Sequence, residues 1–301
     1  MIEENKTTYQ QLLQCAEQKY HQKLPFVCYR LPQQSSVVMR WQEQSTLNVF
    51  DIKEAIEGFV FAPFRSNHPS VFIPFDERTT LLSNSPQGDA ENTTTHTPIE
   101  TEADKQAHLN LVAKAVTAIQ AGAFEKVVLS RKITLAKPAC LFKSFTNMLL
   151  RYPSAFCYLF YHPQVGTWLA ATPETLLYHR QGEFRTMALA GTKVGDKQWQ
   201  PKEREEQQIV TDTIVSQLQP YATTLKVTDP HTVCAGSVQH LCTEISGTLP
   251  TDKVNEVIQR LHPTPAVCGY PTDKARTFII DHEPYDREYY TGYCGLCAVC
   301  R

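Results

Sequence analysis

Residues 108–131, HLNLVAKAVTAIQAGAFEKVVLSR, hold the transition on which the fold turns. Leu109, Val112, Val116 and Ile119 recur at helical spacing, Gly122 stops that helix, and Glu125 to Arg131 continues as an extended run rich in β-branched and apolar residues. A tight turn joins helix to strand. In a period-2 strand Lys126 shares a face with Val128 and Ser130 while Val127 and Leu129 take the other, so both faces are expected to be largely buried. Lysine is uncommon in such a place. Burial disfavours its ammonium form and draws a pKa of about 10.4 toward neutrality, which is what a proton acceptor needs. An edge-strand lysine turned to solvent is the competing reading.

A second ionisable group stands out at Glu174, in Ala171-Thr172-Pro173-Glu174. If buried, it holds its proton near neutral pH and can act as an acid; if not, it is a solvated turn residue after Thr172-Pro173. Further strands are expected at Ala155 to Tyr161, Thr167 to Ala171, Thr175 to His179, Phe184 to Leu189 and Val238 to Ile245, and their short connections favour antiparallel pairing. Helices are expected from Pro201, with Val210, Ile214 and Leu218 as its buried stripe, and at Asp252 to Leu261 and Thr272 to His282. This is an α+β pattern of sheets covered by helices. Upstream, Pro25 to Trp41 and Ala55 to Phe75 are strand-like, and the polar stretch Ser83 to Asp104 reads as a linker. The chain divides on this basis into an N-terminal subdomain and linker, 1–104, and a catalytic region, 105–301.

Of 301 residues 42% are hydrophobic and 20% charged, with a formal net charge of −2, enough for real cores and no basic run. Nucleic acid and anionic membrane are therefore disfavoured as partners, and a small molecule is favoured. The start, Met1-Ile2-Glu3-Glu4-Asn5-Lys6, is polar, and no apolar run approaches the roughly 18 residues of a membrane helix, so a cytoplasmic protein is expected. Ten cysteines are then expected as reduced thiols. Cys294, Cys297 and Cys300 have gaps that could suit zinc or an iron-sulfur cluster. A fourth ligand is lacking, however, and strand alternation sends Cys294 and Cys297 to opposite faces.

Four separated strings, KVVLSR (126–131), ATPE (171–174), LAGT (189–192) and HPTPAVCG (262–269), stand in an order that resembles the chorismate-binding enzymes, and within them the isochorismate synthases. The resemblance covers about Leu109 to Gly295. It implies antiparallel sheets in a β-sandwich-like core covered by helices. It also implies a reaction in which water adds at one ring carbon of chorismate and a hydroxyl leaves another, serving menaquinone or siderophore synthesis. By the same resemblance Lys126 activates the water and Glu174 protonates the departing hydroxyl. Glu206, one turn before the Val210 stripe, is the implied Mg2+ ligand, although acids in a helix's first turns also suit the macrodipole. Gly191 and Thr192 are expected to bring backbone N–H groups to a substrate carboxylate, and His240 and Thr243 to line the pocket. Ala266 leaves room for the ring in a loop shaped by Pro263, Pro265 and Gly269.

Arg287 is read as structural or supporting, with a carboxylate clamp as the alternative. Lysine rather than glutamine at position 126 favours water over ammonia as nucleophile; salicylate synthases share the lysine but differ from HPTPAVCG. Ala170 stands where the family often has glycine. The family pattern continues past Tyr290 to Gly295 into further strands and a last helix, which carry an arginine for the substrate and a second glutamate for Mg2+. This sequence ends at Arg301 before them. The expected fold is accordingly truncated, and a non-catalytic chorismate-binding fragment is the alternative function. Oligomeric state is not legible, although the family includes monomers.

Overall fold

The computed structural model describes residues 5–54, 57–90, 98–136 and 140–297. Helix α1 (Tyr9–His21) opens on a capping box between Thr8 and Gln11 and leads into β1 (Phe26–Arg30), β2 (Ser36–Trp41), β3 (Gly58–Ala62), β4 (Val71–Pro74) and β5 (Thr80–Asn84). A short β6 (Pro98–Ile99) precedes α2 (Glu102–Gln120), β7 (Lys126–Val127), β8 (Thr134–Leu135) and α3 (Leu141–Arg151). Then come β9 (Phe156–His162), β10 (Gly166–Thr172), β11 (Tyr178–Arg180), β12 (Glu183–Lys193) and α4 (Pro201–Leu218). The last elements are β13 (Thr224–Val227), β14 (His231–Ala235), β15 (Val238–Thr248), α5 (Val254–Leu261), β16 (Gly269–Tyr270), α6 (Thr272–His282) and β17 (Tyr293–Cys297).

All strand pairs between these elements are antiparallel, both those joined by short connections and those between remote segments. One sheet runs β10-β9-β1-β2-β5 and faces a smaller one, β17-β3-β4. Every residue of β1 is buried, because both of its faces are covered. Phe26 and Cys28 meet Leu12 and Ala16 of α1 and Phe145 and Leu149 of α3. Val27 and Tyr29, with Phe156, Tyr158 and Phe160 of β9, meet Phe59, Phe61, Val71 and Ile73 across the sandwich. Phe61 and Phe160 stack there with ring centroids 4.4 Å apart. Each such buried phenylalanine contributes roughly 1.5–3 kcal/mol, so this inter-sheet layer is a main source of stability. A third sheet, β11-β12-β15-β13 with β14 on β15, is covered by α4 and α5. There Val210, Ile214, Leu218, Val257 and Leu261 pack on Phe184, Ala188, Ala190 and Ile245. The sandwich and its helical cover match the expected α+β class. The sheets draw on both sides of residue 104, since β1 pairs with β9 and β3 with β17.

Several local expectations shift. The extended run from Glu125 to Arg131 forms a ladder only at Lys126–Val127, because side chains of Glu283 and Arg287 take the Ser130 N–H and the Val128 carbonyl instead. A strand from Thr175 to His179 is replaced by β11, because the Thr186 hydroxyl donates to the carbonyls of Thr175 and Leu176. The stripe of α2 faces outward: Leu109 and Val116 are 50% and 46% exposed, and the helix rests on Leu111 and Ala115. Within the polar stretch from Ser83, Ser83 and Asn84 belong to β5, Pro98 and Ile99 form β6, and Glu102 starts α2, while 91–97 lie outside the described residues. Cys294 packs into the sandwich on β17, three residues from Cys297, and Cys300 lies outside the described residues. Among the described residues no helix is long and apolar enough to cross a membrane.

Candidate active site

Lys126 sits where β7 meets β16, with Lys126 opposite Tyr270 and Val127 opposite Gly269. Val127 and Leu129 turn to Phe64, Cys268, Ala275 and Ile279, which sends Lys126 to the other side. The lysine is 8% exposed. Two strands can approach this closely only because position 269 is glycine. A Cβ there would lie 2.2 Å from the Lys126 carbonyl oxygen, and the backbone takes φ +141°. The loop between α5 and β16 turns back on itself as the Thr264 carbonyl accepts from Val267 and Cys268. That turn presents the Pro265 carbonyl to Lys126 Nζ at 2.6 Å.

Helix α4 starts with Pro201 and a capping exchange between Gln200 and Glu203. One turn before the buried Val210, Glu206 places Oε1 3.4 Å from Lys126 Nζ, at the half-exposed rim of the helix. Glu174 follows β10, its N–H donating to Thr172 Oγ1, with the next two carbonyls held by Thr186. Burial pushes the Glu174 carboxyl up to about 7, against the Lys126 ammonium and the Thr264 hydroxyl, both of which favour the ionised form. Burial holds Lys126 below the ordinary lysine range, with Glu206 and then Glu174 drawing it back up. A buried amine and a half-buried carboxyl thus approach one another in proton affinity. They exchange influence within one site.

Along β12 and β15 the ladder slips between Ala190 and Thr192, where Gly191 adopts φ +72°. A Cβ on Gly191 would stand 3.0 Å from the Glu203 carbonyl, so this bulge lets the sheet press on the first turn of α4. Its own carbonyl accepts from His240 Nδ1 at 3.0 Å, with Thr192 Oγ1 at 3.1 Å from the same nitrogen. Because a carbonyl can only accept, Nδ1 bears a hydrogen toward it. Thr243 turns to the other face of β15, as three residues of separation in a strand require. It is buried, and its hydroxyl accepts from Gln207 Nε2 of α4 at 2.7 Å. Ala266 is half-buried against the same α4 and α5 cluster.

The structure therefore brings Lys126, Glu174 and Glu206 together, holds Gly191, Thr192 and His240 as a second group on the bulge, and sets Thr243 against Gln207 of α4, on the face of β15 opposite His240. The Pro265 carbonyl, Thr264 and Gln207 join the site without any sequence expectation naming them as contacts. Thr264 and Pro265 lie inside HPTPAVCG, which was the available signal. Buried Thr264 Oγ1 makes no hydrogen bond of ordinary geometry. Two concavities, of about 280 and 420 Å3, lie elsewhere, one lined by Phe64, Tyr285 and Arg287 and the other by Trp41 and Arg78. Neither is lined by Lys126, Glu174 or Glu206. No group of three or more His, Cys, Asp or Glu side chains that could hold a metal occurs among the described residues. Glu206, at the half-exposed rim of α4, offers a carboxylate beside Lys126, which fits an ion bound by one protein carboxylate with water and substrate oxygens.

A sequence profile of chorismate binding enzymes matches residues 65–299. Isochorismate synthase MenF of Escherichia coli is 35% identical over 239 residues, covering 73% of this chain and 54% of MenF. Isochorismate synthase DhbC of Bacillus subtilis is 31% identical over 220 residues, covering 64% of this chain and 54% of DhbC. This chain spans about half the length of these curated relatives. The solved structure of the menaquinone-specific MenF from Escherichia coli superposes with a TM-score of 0.73 over 91% of this chain and 76% of its own, at 22% identity. At that identity the superposition speaks for the fold.

Proposed function

The chain belongs to the chorismate-binding enzymes, and from that membership we propose that it converts chorismate to isochorismate. The observation that carries the reading is the pair Lys126 and Glu174: an amine held below its usual range beside a carboxyl pushed up to about 7. In this reading Lys126, unprotonated, takes a proton from water as its oxygen attacks one ring carbon of chorismate. Glu174 gives its proton to the hydroxyl that leaves another ring carbon, so the substrate gains and loses one water overall. Moving one proton from Lys126 to Glu174 then resets the pair. General acid and base in such roles contribute typically 10²–10⁴-fold each.

Substrate binding is assigned to Gly191, Thr192 and His240 on the bulge, with Ala266 beside the ring. Thr243 contributes through its bond to Gln207, the neighbour of Glu206 on α4. The proposal includes Mg2+, which Glu206 would hold and which would neutralise carboxylate charge on the substrate. Product feeding menaquinone or siderophore synthesis is part of the same reading. The nine cysteines among the described residues are free thiols, which supports a cytoplasmic setting.

The test is incubation of the purified protein with chorismate and Mg2+, followed by chromatography. Isochorismate as the main product is expected. Salicylate or anthranilate as the main product, or chorismate left unchanged, would overturn the proposal.

A further inference from the structure

We propose that the buried Glu283–Arg287 pair positions Lys126 by tying the strand that carries it to the loop that holds its amine. Arg287 has five N–H donors, and all five are used. Nε and Nη2 grip the two oxygens of Glu283 at 2.8 and 2.6 Å. The second hydrogen of Nη2 goes to the Val128 carbonyl at 2.7 Å, two residues after Lys126. Nη1 reaches the Val267 carbonyl at 3.0 Å, two residues after Pro265, and Thr291 Oγ1 at 3.3 Å. Glu283 Oε1 in turn accepts from the N–H and hydroxyl of Ser130 at 2.7 and 2.9 Å, and Tyr285 donates to that hydroxyl at 2.6 Å. The guanidinium lies over the Phe64 ring, and the two charged side chains are 2% and 1% exposed.

Lys126 is thereby held from two directions. Its backbone segment is fixed at Val128 and Ser130, and the partner of its amine, Pro265, is fixed through Val267. Stability alone is a poor reason for such a pair, since apolar residues of similar volume often serve a buried position as well. Leucine and methionine could fill the space, but they could not hold two carbonyls and an N–H at set separations. An amine that must meet water and a ring carbon tolerates little displacement, and a 1 Å error can cost about a hundredfold in rate.

The inference rests on the proposed activity, and its test separates the two. The variants are Arg287→Lys, Glu283→Gln and the paired Glu283→Leu with Arg287→Met, the last being the one expected to fold if a single change leaves a buried charge alone. In folded protein kcat on chorismate is expected to fall about a hundredfold in the paired variant, with KM little changed, and less in Arg287→Lys. Independently of turnover, acylation of Lys126 at fixed pH, read by peptide mass spectrometry, is expected to quicken in the paired variant, while exposed Lys105 labels as before. Amide exchange at Val128 to Ser130 should quicken with it. Variants that melt at lower temperature yet keep kcat, Lys126 labelling and local exchange would reduce the pair to a structural role and overturn the proposal. Wild-type protein without turnover would overturn the proposed function, and labelling and exchange would still decide the positioning.

Discussion

Replacing Lys126 with methionine keeps the buried stem and removes the amine, so kcat on chorismate is expected to fall by about 10²–10⁴-fold; near wild-type turnover would refute its role as base. For Glu174→Gln a loss of the same order is expected, together with a changed pH profile. With the acid pushed up to about 7, wild-type turnover should decline as pH rises through that value, and the glutamine variant should lack that limb. Stability carries the same signature with a definite sign. Because Glu174 binds its proton more tightly folded than unfolded, its contribution is complete below about 4.5 and lost as pH climbs through about 7. The melting temperature of Glu174→Gln relative to wild type should therefore rise from acid to neutral pH. Lys126 and Glu174 were legible because burial of an ionisable side chain follows from strand period and motif. The Pro265 carbonyl was not, because a backbone acceptor has no letter of its own. Thr243 was named with His240 through the resemblance, and three residues along β15 set the two on opposite faces.

The junction of β7 with β16 is the element most sensitive to one atom. Gly269→Ala puts a methyl against the Lys126 carbonyl and imposes a disfavoured φ, so a loss on the order of 1–3 kcal/mol from strain alone is expected in urea denaturation. Its kcat should fall with its stability, since the strand displaced is the one bearing Lys126. Unchanged stability would mean that the two strands can part without cost. Helices α4, α5 and α6 and the longer strands were readable because their caps, stripes and turns are local. The run after Val127 was not, because its hydrogen-bond partners are side chains about 150 residues away, at Glu283 and Arg287. Nor does spacing alone give direction: Leu109, Val112, Val116 and Ile119 make a helical stripe, but which face a helix turns inward depends on what lies beneath it.

For the whole molecule, the layer between the two sheets joins chain segments far apart in sequence. A chain cut once between residues 90 and 98 is expected to elute as one particle in gel filtration, because β1 remains paired with β9 and β3 with β17. Separate elution of the two pieces without denaturant would show that these ladders do not hold the halves together. The α+β class was legible from element types, but this interleaving was not, since β-pairing between remote segments leaves no periodic mark on either. It also imposes an order on synthesis. At ribosomal rates β3 leaves the tunnel roughly 10–50 s before β17 does. Through that interval Phe59 and Phe61 lack the last strand of their sheet and the Tyr289 ring that stacks on Phe61. The nascent chain therefore carries an unfinished sheet edge through that interval, and its yield in a cell should depend on chaperones that bind such surfaces and on slower, cooler growth.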